Sequence, residues 1–306
     1  MTLRIVSLLP SATEIVCALG LRDGLVGVSH ECDFPSGVVG LPIVTAPKID
    51  VHGSSRAIND AVIDLVRSGL SVYKIDAEQL AALAPDLIVT QDQCEVCAVS
   101  YDDVVAATQS IAGCQARVIS LRPSRLGDVW NDVETVAESA GVAAKGRSLA
   151  QLLRERVASI EERTRPLSKP RLACIEWLDP LMAAGNWVPE LASVAGSNPG
   201  LVETGKDSAW LSWDELERAA PEVVCAMPCG FDLARTRKEL AESLADERWS
   251  ALPAVRDDRV FAVDGNAYFN RPGPRLVESA GILAGLLHPE ECGDLLPDGA
   301  WARVSR

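Results

Sequence analysis

The chain has 306 residues, of which 48% are hydrophobic and 24% are charged, so its apolar content is sufficient for two cores of ordinary domain size. The formal net charge is −14, and the lysines and arginines form no long run, which argues against a nucleic-acid-binding protein. No apolar stretch reaches 18 residues, so the sequence predicts no membrane-spanning segment.

The first part of the chain alternates short apolar runs with helical patterns. Ser11 is the predicted N-cap of the first helix, Glu14 completes a capping box, and Gly20 ends the helix. The other predicted elements are strands at 4–9 and 25–29, a helix near 57–68, a strand at 72–75, and a helix followed by a strand within 78–90. This alternation predicts an α/β lobe.

One sequence pattern occurs twice. Residues 78–90 and 214–226 each contain a short amphipathic helix, a Pro-acid pair and a four-residue apolar run typical of a buried parallel strand. A second strand-like run follows each copy, at 117–121 and 259–263. The duplication predicts two similar α/β lobes. Because open parallel sheets bind ligands beyond the carboxyl ends of their strands, two facing lobes would direct their loops into one cleft.

Two long helical patterns lie between the copies. Apolar residues recur at helical spacing from 126 to 140 and from 149 to 160, and about 20 residues of helix would extend roughly 30 Å. We therefore predict a stiff helical spine. The expected organisation is an N-terminal α/β lobe at 1–122, the spine at 123–168, and a C-terminal α/β lobe with a tail at 169–306.

Four possible metal ligands follow predicted strands. The pair Cys94-x-x-Cys97 can present two thiolates to one ion, and His30 and Cys32 follow another strand. If both strands are central, the four side chains form a His-Cys₃ set suited to Zn²⁺, Fe or a soft cobalt centre. A redox-active Cys94–Cys97 pair and ordinary thiols are the alternatives, and the sequence leaves all three open.

Several motifs resemble those of a known family. Residues 4–15, Arg-Ile-Val-Ser-Leu-Leu-Pro-Ser-Ala-Thr-Glu-Ile, together with the strands at 26–29 and 85–89, the spine and the duplicated lobe, resemble the vitamin B12-binding and iron-chelate-binding class of ABC-transporter substrate-binding proteins. Segments 177–180, 185–191 and 269–276 are similar to the cobalamin-binding branch of that class. The resemblance implies two Rossmann-like lobes with mainly parallel sheets, joined by one long helix.

The resemblance also implies a ligand and a partner. The ligand would be cobalamin, another corrinoid or a related metal chelate held between the lobes, and the partner would be an ABC permease. Exported members of the class carry a signal peptide or a lipoprotein cysteine, whereas residues 4–9 here already form a predicted strand. We therefore expect a cytoplasmic location, or a periplasmic or lipid-anchored one if the true start lies upstream.

Candidate ligand-binding residues follow from these expectations. Six of the seven tryptophans lie beyond residue 170. Aromatic rings can form flat apolar walls around a corrinoid, and amide side chains in loops can form hydrogen bonds with its periphery. A neutral imidazole at His30 suits an axial position on cobalt. The candidates are Ser11, His30, Gln91, Asp92, Trp177, Trp187, Phe231, Asn266, Tyr268 and Asn270. Core packing of the aromatic residues and ordinary loop polarity are the alternatives.

The sequence contains none of the common catalytic motifs. It lacks a phosphate loop, a Gly-x-Gly-x-x-Gly turn after the first strand, a Gly-x-Ser-x-Gly elbow and a His-Glu-x-x-His helix. We therefore expect a binding protein for a small metal-chelate ligand and not an enzyme. The alternative is a cytoplasmic metal-binding enzyme or metallochaperone, chelatase-like or corrinoid-processing, that uses a His/Cys site with Zn or Fe.

Overall fold

The computed structural model describes residues 3–67, 72–91, 105, 116–198 and 200–305. The chain forms two compact units, the first from Met1–Pro123 with Gly127–Leu152 and the second from Ser124–Leu126 with Leu153–Arg306. Strands and helices alternate in both units, which confirms the predicted α/β class. The predicted domain boundaries, which treat 123–168 as a segment of its own, stay a prediction.

The elements of the described residues are as follows. The strands are β1 (Ile5–Ser7), β2 (Leu25–Val28), β3 (Thr45–Pro47), β4 (Tyr73–Ile75), β5 (Leu87–Gln91), β6 (Arg117–Leu121), β7 (Leu172–Leu178), β8 (Leu181–Ala183), β9 (Ala209–Trp210), β10 (Val223–Ala226), β11 (Val260–Val263) and β12 (Trp301–Arg303). The helices are α1 (Pro10–Ala18), α2 (Ser55–Arg67), α3 (Ala77–Leu83), α4 (Leu126–Ser139), α5 (Ala143–Thr164), α6 (Val188–Val194), α7 (Trp213–Ala219), α8 (Leu233–Ser243), α9 (Pro253–Arg256), α10 (Leu276–Leu287) and α11 (Pro289–Cys292).

The first unit contains a parallel sheet with strand order β2-β1-β5-β6. Strands β3 and β4 form a separate antiparallel pair. One side of the unit's core is formed by Val6, Leu8, Val44, Leu80 and Ile88. Because parallel strands end at the same edge, the residues after β1, β2 and β5 share one side of the sheet.

The second unit contains a six-stranded sheet with order β12-β11-β10-β7-β8-β9. Strands β11, β10 and β7 are parallel, whereas β12 is antiparallel to β11 and β8 is antiparallel to both β7 and β9. The predicted parallel arrangement therefore holds in the centre of this sheet. Strand β8 is antiparallel to β7 because only Asp179 and Pro180 separate the two strands, and such a short connection can only form a hairpin.

The sequence repeat is also a repeat of hydrogen bonds. In the first copy, helix α3 ends at Ala84 in the left-handed conformation, with φ of 41°. Nε of Arg4 donates to the carbonyls of Leu83 and Ala84 at 2.9 and 3.2 Å, and the backbone N–H of Arg4 donates to the Asp86 carboxylate at 2.8 Å. The arginine before β1 thus ties the end of α3 to the start of β5.

The second copy reproduces these bonds. Helix α7 ends at Ala220, with φ of 43°, and Nε of Arg171 donates to its carbonyl at 2.8 Å. The backbone N–H of Arg171 donates to the Glu222 carboxylate at 2.9 Å. The Pro-acid pair recognised in the sequence therefore has one role in both units, which is to anchor the arginine that begins the central strand.

The first helix departs from its prediction. Helix α1 begins at Pro10, its N-cap is Leu9, and no side chain caps it, so the predicted capping box of Ser11 and Glu14 is wrong. The fixed φ of proline suits the first helical position, which starts the helix one residue early and buries Ser11 in its first turn. Gly20 follows the helix end with φ of +73°, as the sequence predicted.

The predicted spine corresponds to α4 and α5. Helix α5 has 22 residues, and the division between the two units falls within it, after Leu152. None of the helices in the described ranges combines the length and the apolar content needed to cross a bilayer.

Candidate functional site

A polar network lies at the carboxyl end of β2 in the first unit. The backbone N–H of His30 donates to Oγ1 of Thr45 at 3.1 Å, and the same oxygen lies 2.7 Å from Nδ1 of His30. Thr45 donates in turn to Oγ of Ser29 at 3.1 Å. Burial lowers the pKa of His30, so its imidazole is neutral at neutral pH. The sequence places His30 correctly at a strand end, but Thr45 comes from another strand.

Tyr73 packs beside His30. Its ring centroid lies 5.2 Å from that of the imidazole, and its hydroxyl donates to Oε1 of Glu31 at 3.0 Å. Sequence reasoning predicts the strand that carries Tyr73 but not its position next to His30. The pairing of β3 with β4 creates this contact, and no local pattern reveals it.

Cys32 contacts the start of α1. The Thr13 hydroxyl lies 2.8 Å from Oγ of Ser7 and 3.1 Å from Sγ of Cys32. The other predicted metal ligands, Cys94 and Cys97, lie outside the described residues, as does Asp92. Within the described part of the chain, no group of three or more His, Cys, Asp or Glu side chains could hold a metal ion. The His-Cys₃ site therefore stays a prediction.

Two other predicted ligand residues of the first unit are buried. Ser11, in the first turn of α1, is 2% exposed, and Gln91, the last residue of β5, is 7% exposed. Both lie at the sheet edge where β1 and β5 end. Their role in ligand binding stays a prediction.

An aromatic cluster lies at the carboxyl ends of β7 and β10 in the second unit. The rings of Trp177 and Phe231 are 5.2 Å apart, and both side chains are buried. The guanidinium carbon of Arg235 lies 3.6 Å from the Phe231 centroid, which is a cation–π contact. The sequence predicts both aromatic residues as ligand contacts, and this role is still a prediction.

Strand pairing extends this cluster to an exposed tryptophan. Trp177 pairs with Met182 across β7 and β8, and Met182 pairs with Trp210 across β8 and β9. Directly paired residues of antiparallel strands lie on the same face of a sheet, so the three side chains form a row. Trp210 is 58% exposed. Sequence reasoning does not select Trp210 as a site residue, because only the register places it in this row.

The loop after β11 carries the remaining predicted residues. The indole N–H of Trp187 donates to the carbonyl of Phe269 at 2.9 Å, and Nδ2 of Asn270 donates to the carbonyls of Met227 and Gly265 at 2.9 and 3.0 Å. Trp187 and Asn270 therefore hold the loop in place. The prediction that they contact ligand is not tested by these bonds.

Asn266 and Tyr268 occupy the same loop with their side chains partly exposed. Oδ1 of Asn266 accepts from the buried Arg271 at 3.1 Å. The guanidinium carbon of Arg275 lies 5.5 Å from the Tyr268 centroid. Cationic groups thus position both side chains, and their ligand role stays a prediction.

Comparisons with known proteins identify related sequences. A family model described as periplasmic binding protein matches residues 5–267. An uncharacterised ABC transporter substrate-binding lipoprotein of Bacillus subtilis, YvrC, is 25% identical over 301 residues, which cover 94% of this chain and 80% of that protein. The vitamin B12-binding protein of Vibrio parahaemolyticus is 22% identical over 279 residues, which cover 90% of this chain and 86% of that protein.

A solved structure has the same fold. The periplasmic heme-binding protein RhuT from Roseiflexus sp. RS-1 superposes with a TM-score of 0.69 over 94% of this chain and 99% of that chain, at 22% identity. At this level of identity the likeness shows the fold alone. Together with the family match, it confirms the resemblance predicted from the sequence.

The comparisons also correct one prediction. The predicted cytoplasmic location is wrong, because the related proteins are a lipoprotein and periplasmic binding proteins. That prediction took a strand near the start of the sequence as evidence against export. The alternative of a metal-dependent enzyme is not supported either, since the matching family consists of substrate-binding proteins.

Proposed function

The chain belongs to the periplasmic binding protein family, and from this premise we propose that it binds a corrinoid, a vitamin B12-like chelate of cobalt, for delivery to an ABC permease. A binding protein of this kind releases its ligand chemically unchanged. The relative named vitamin B12-binding protein, which aligns with 90% of this chain, supports the choice of ligand.

The observation that carries the proposal is the row of Trp177, Met182 and Trp210. These side chains lie on one face of neighbouring strands, and the exposed ring of Trp210 at the end of the row offers a flat surface on which a ring can stack. Trp210 is 58% exposed, so contact with an apolar ring would remove much of its surface from water. An indole loses little conformational entropy in such a contact.

Polar groups near each set of strand ends suit the rest of a corrinoid. Asn266 and Tyr268 are partly exposed on the loop after β11, where they can bond peripheral amides. In the first unit, the neutral imidazole of His30 can bind the metal at an axial position.

A titration tests the proposed function. We expect cyanocobalamin and cobinamide to raise the melting temperature of the purified protein, because ligand at 100 times its Kd stabilises the native state by about 2.7 kcal/mol. Trp210→Ala should weaken binding about tenfold, which corresponds to 1.4 kcal/mol. Its effect on the free protein should be small because the side chain is exposed. Isothermal calorimetry and the visible spectrum measure the affinities.

Trp210→Phe is the matched control, because it keeps a flat ring at the same place in β9. We expect its affinity to stay within about threefold of the wild type. Binding of neither corrinoid would reject the ligand assignment while leaving the fold intact. Binding of hemin alone would assign an iron tetrapyrrole in place of a corrinoid.

A further inference from the structure

We propose that Thr45 and Ser29 hold His30 in the tautomer that carries its proton on Nδ1, so that Nε2 presents a lone pair to the metal of the bound chelate. The coordination half of this inference rests on the proposed function. The tautomer half rests only on the hydrogen bonds of the first unit. Thr45 and Ser29 are therefore positioning residues that act through His30.

The argument begins with the hydroxyl group of Thr45. A threonine hydroxyl has one proton to donate and two lone pairs to accept. Oγ1 of Thr45 has three neighbours in hydrogen-bond range, which are the backbone nitrogen of His30, Nδ1 of His30 and Oγ of Ser29. These three neighbours equal its capacity of one donated and two accepted hydrogen bonds.

The backbone N–H of His30 can only donate, and it occupies one lone pair of Thr45. We assign the Thr45 proton to Oγ of Ser29, which lies 3.1 Å away. The remaining lone pair must then accept from Nδ1 of His30 at 2.7 Å, which requires a proton on that nitrogen. A neutral imidazole with Nδ1 protonated has a bare lone pair on Nε2.

Nε2 is available for coordination. His30 is only partly buried, and within the described residues no hydrogen bond involves its Nε2. The adjacent carboxylate of Glu31 accepts from the Tyr73 hydroxyl at 3.0 Å, and the Tyr73 ring packs 5.2 Å from the imidazole. An N–H bond to an oxygen on one side of a ligating histidine is the usual means of fixing its orientation and raising its basicity.

Nitrogen NMR of the free protein tests the tautomer. We expect the ¹⁵N shifts of His30 to show a protonated Nδ1 and a bare Nε2 in the wild type and in Thr45→Ser, which keeps the hydroxyl. Ser29→Ala removes the acceptor of the Thr45 proton, so Thr45 can donate to Nδ1 and the opposite tautomer should gain population. A wild-type His30 protonated on Nε2 would overturn the proposal, whether or not any ligand binds.

Coordination is tested with aquated cobinamide, which lacks a nucleotide base and carries exchangeable axial water. We expect the wild-type complex to show the visible spectrum of nitrogen-bound cobalt and His30→Ala to show that of the free corrinoid. Thr45→Val should weaken binding about tenfold or more, a size typical of lost second-sphere support. Thr135→Val, an exposed threonine on α4, is the control and should bind as the wild type does.

The outcomes separate the two proposals. A bound cobinamide with the same spectrum in the wild type and in His30→Ala would overturn the coordination while leaving the proposed function intact. Failure of cobinamide, cyanocobalamin and hemin to bind would overturn the proposed function and the coordination together. The NMR result would still decide the tautomer, and Ser29→Ala decides it even if Thr45→Val does not fold.

Discussion

Asp132→Asn should stabilise the first unit at neutral pH and remove much of the pH dependence of its unfolding. Asp132 lies on α4, and its Oδ2 is buried with no hydrogen-bond partner within the described residues. Burial, together with the charge of Asp128 one turn earlier, raises the pKa of this carboxyl to about 7. At neutral pH the folded protein must therefore either hold an uncompensated charge or bind a proton at this carboxyl, and the amide requires neither.

The direction of the pH effect follows from the protonation of Asp132 in the folded and the unfolded state. The ordinary pKa of the side chain is 3.8, whereas its folded value is about 7. Below about pH 4 both states bind the proton, and between pH 4 and 7 only the folded state keeps it. Asp132 thus contributes stability at low pH that is lost as the pH rises to 7. The resulting decrease in the free energy of unfolding is about 4 kcal/mol at most.

Urea unfolding at pH 5 and pH 8 measures this effect. We expect the free energy of unfolding of Asp132→Asn to exceed that of the wild type by about 2 to 4 kcal/mol at pH 8, with a smaller difference at pH 5. Asp60→Asn is the control, because Asp60 is an exposed aspartate on α2 of the same unit. Equal pH profiles for Asp132→Asn and the wild type would refute the assignment.

Local patterns predicted the repeated architecture well. A Pro-acid pair before an apolar run specifies the end of a helix and the start of a buried strand within a few residues, and both copies form the same bonds to Arg4 and Arg171. The start of α1 was harder to predict, because Pro10 and Ser11 compete for the helix start and the proline prevails. The fixed backbone geometry of proline decides where this helix starts, and the capping-box motif alone does not predict it.

The candidate site was predictable only in part. The sequence places His30 and Trp177 at strand ends, because strand ends can be recognised from local patterns. It does not reveal that Thr45 and Tyr73 lie beside His30 or that Trp210 lies in a row with Trp177, since these positions depend on pairing between separate segments. Register between strands depends on the packing of the whole sheet, which no single segment encodes.

Gly265→Ala should destabilise the second unit by about 3 kcal/mol or more, which is the upper range for inserting a methyl group into a packed site. A Cβ atom at this position would overlap the carbonyl oxygen of Pro228 and would lie 2.6 Å from the carbonyl carbon of Met227. Both atoms belong to the backbone of the loop after β10, so no side-chain rotation can relieve the contact. The loops after β10 and β11 would have to separate.

That separation would also affect recognition, because the loop that begins at Gly265 carries Asn266 and Tyr268. We therefore expect Gly265→Ala to lower both the urea midpoint of the second unit and its affinity for cobinamide. Gly293→Ala is the control in the same unit. A Cβ there meets no atom within 4 Å and the backbone is right-handed, so alanine should leave stability unchanged or raise it by up to about 1 kcal/mol. Equal unfolding midpoints for the two variants would contradict this prediction. They would show that the loops after β10 and β11 can move apart at little cost in free energy, and that close packing at Gly265 does not fix the loop after β11.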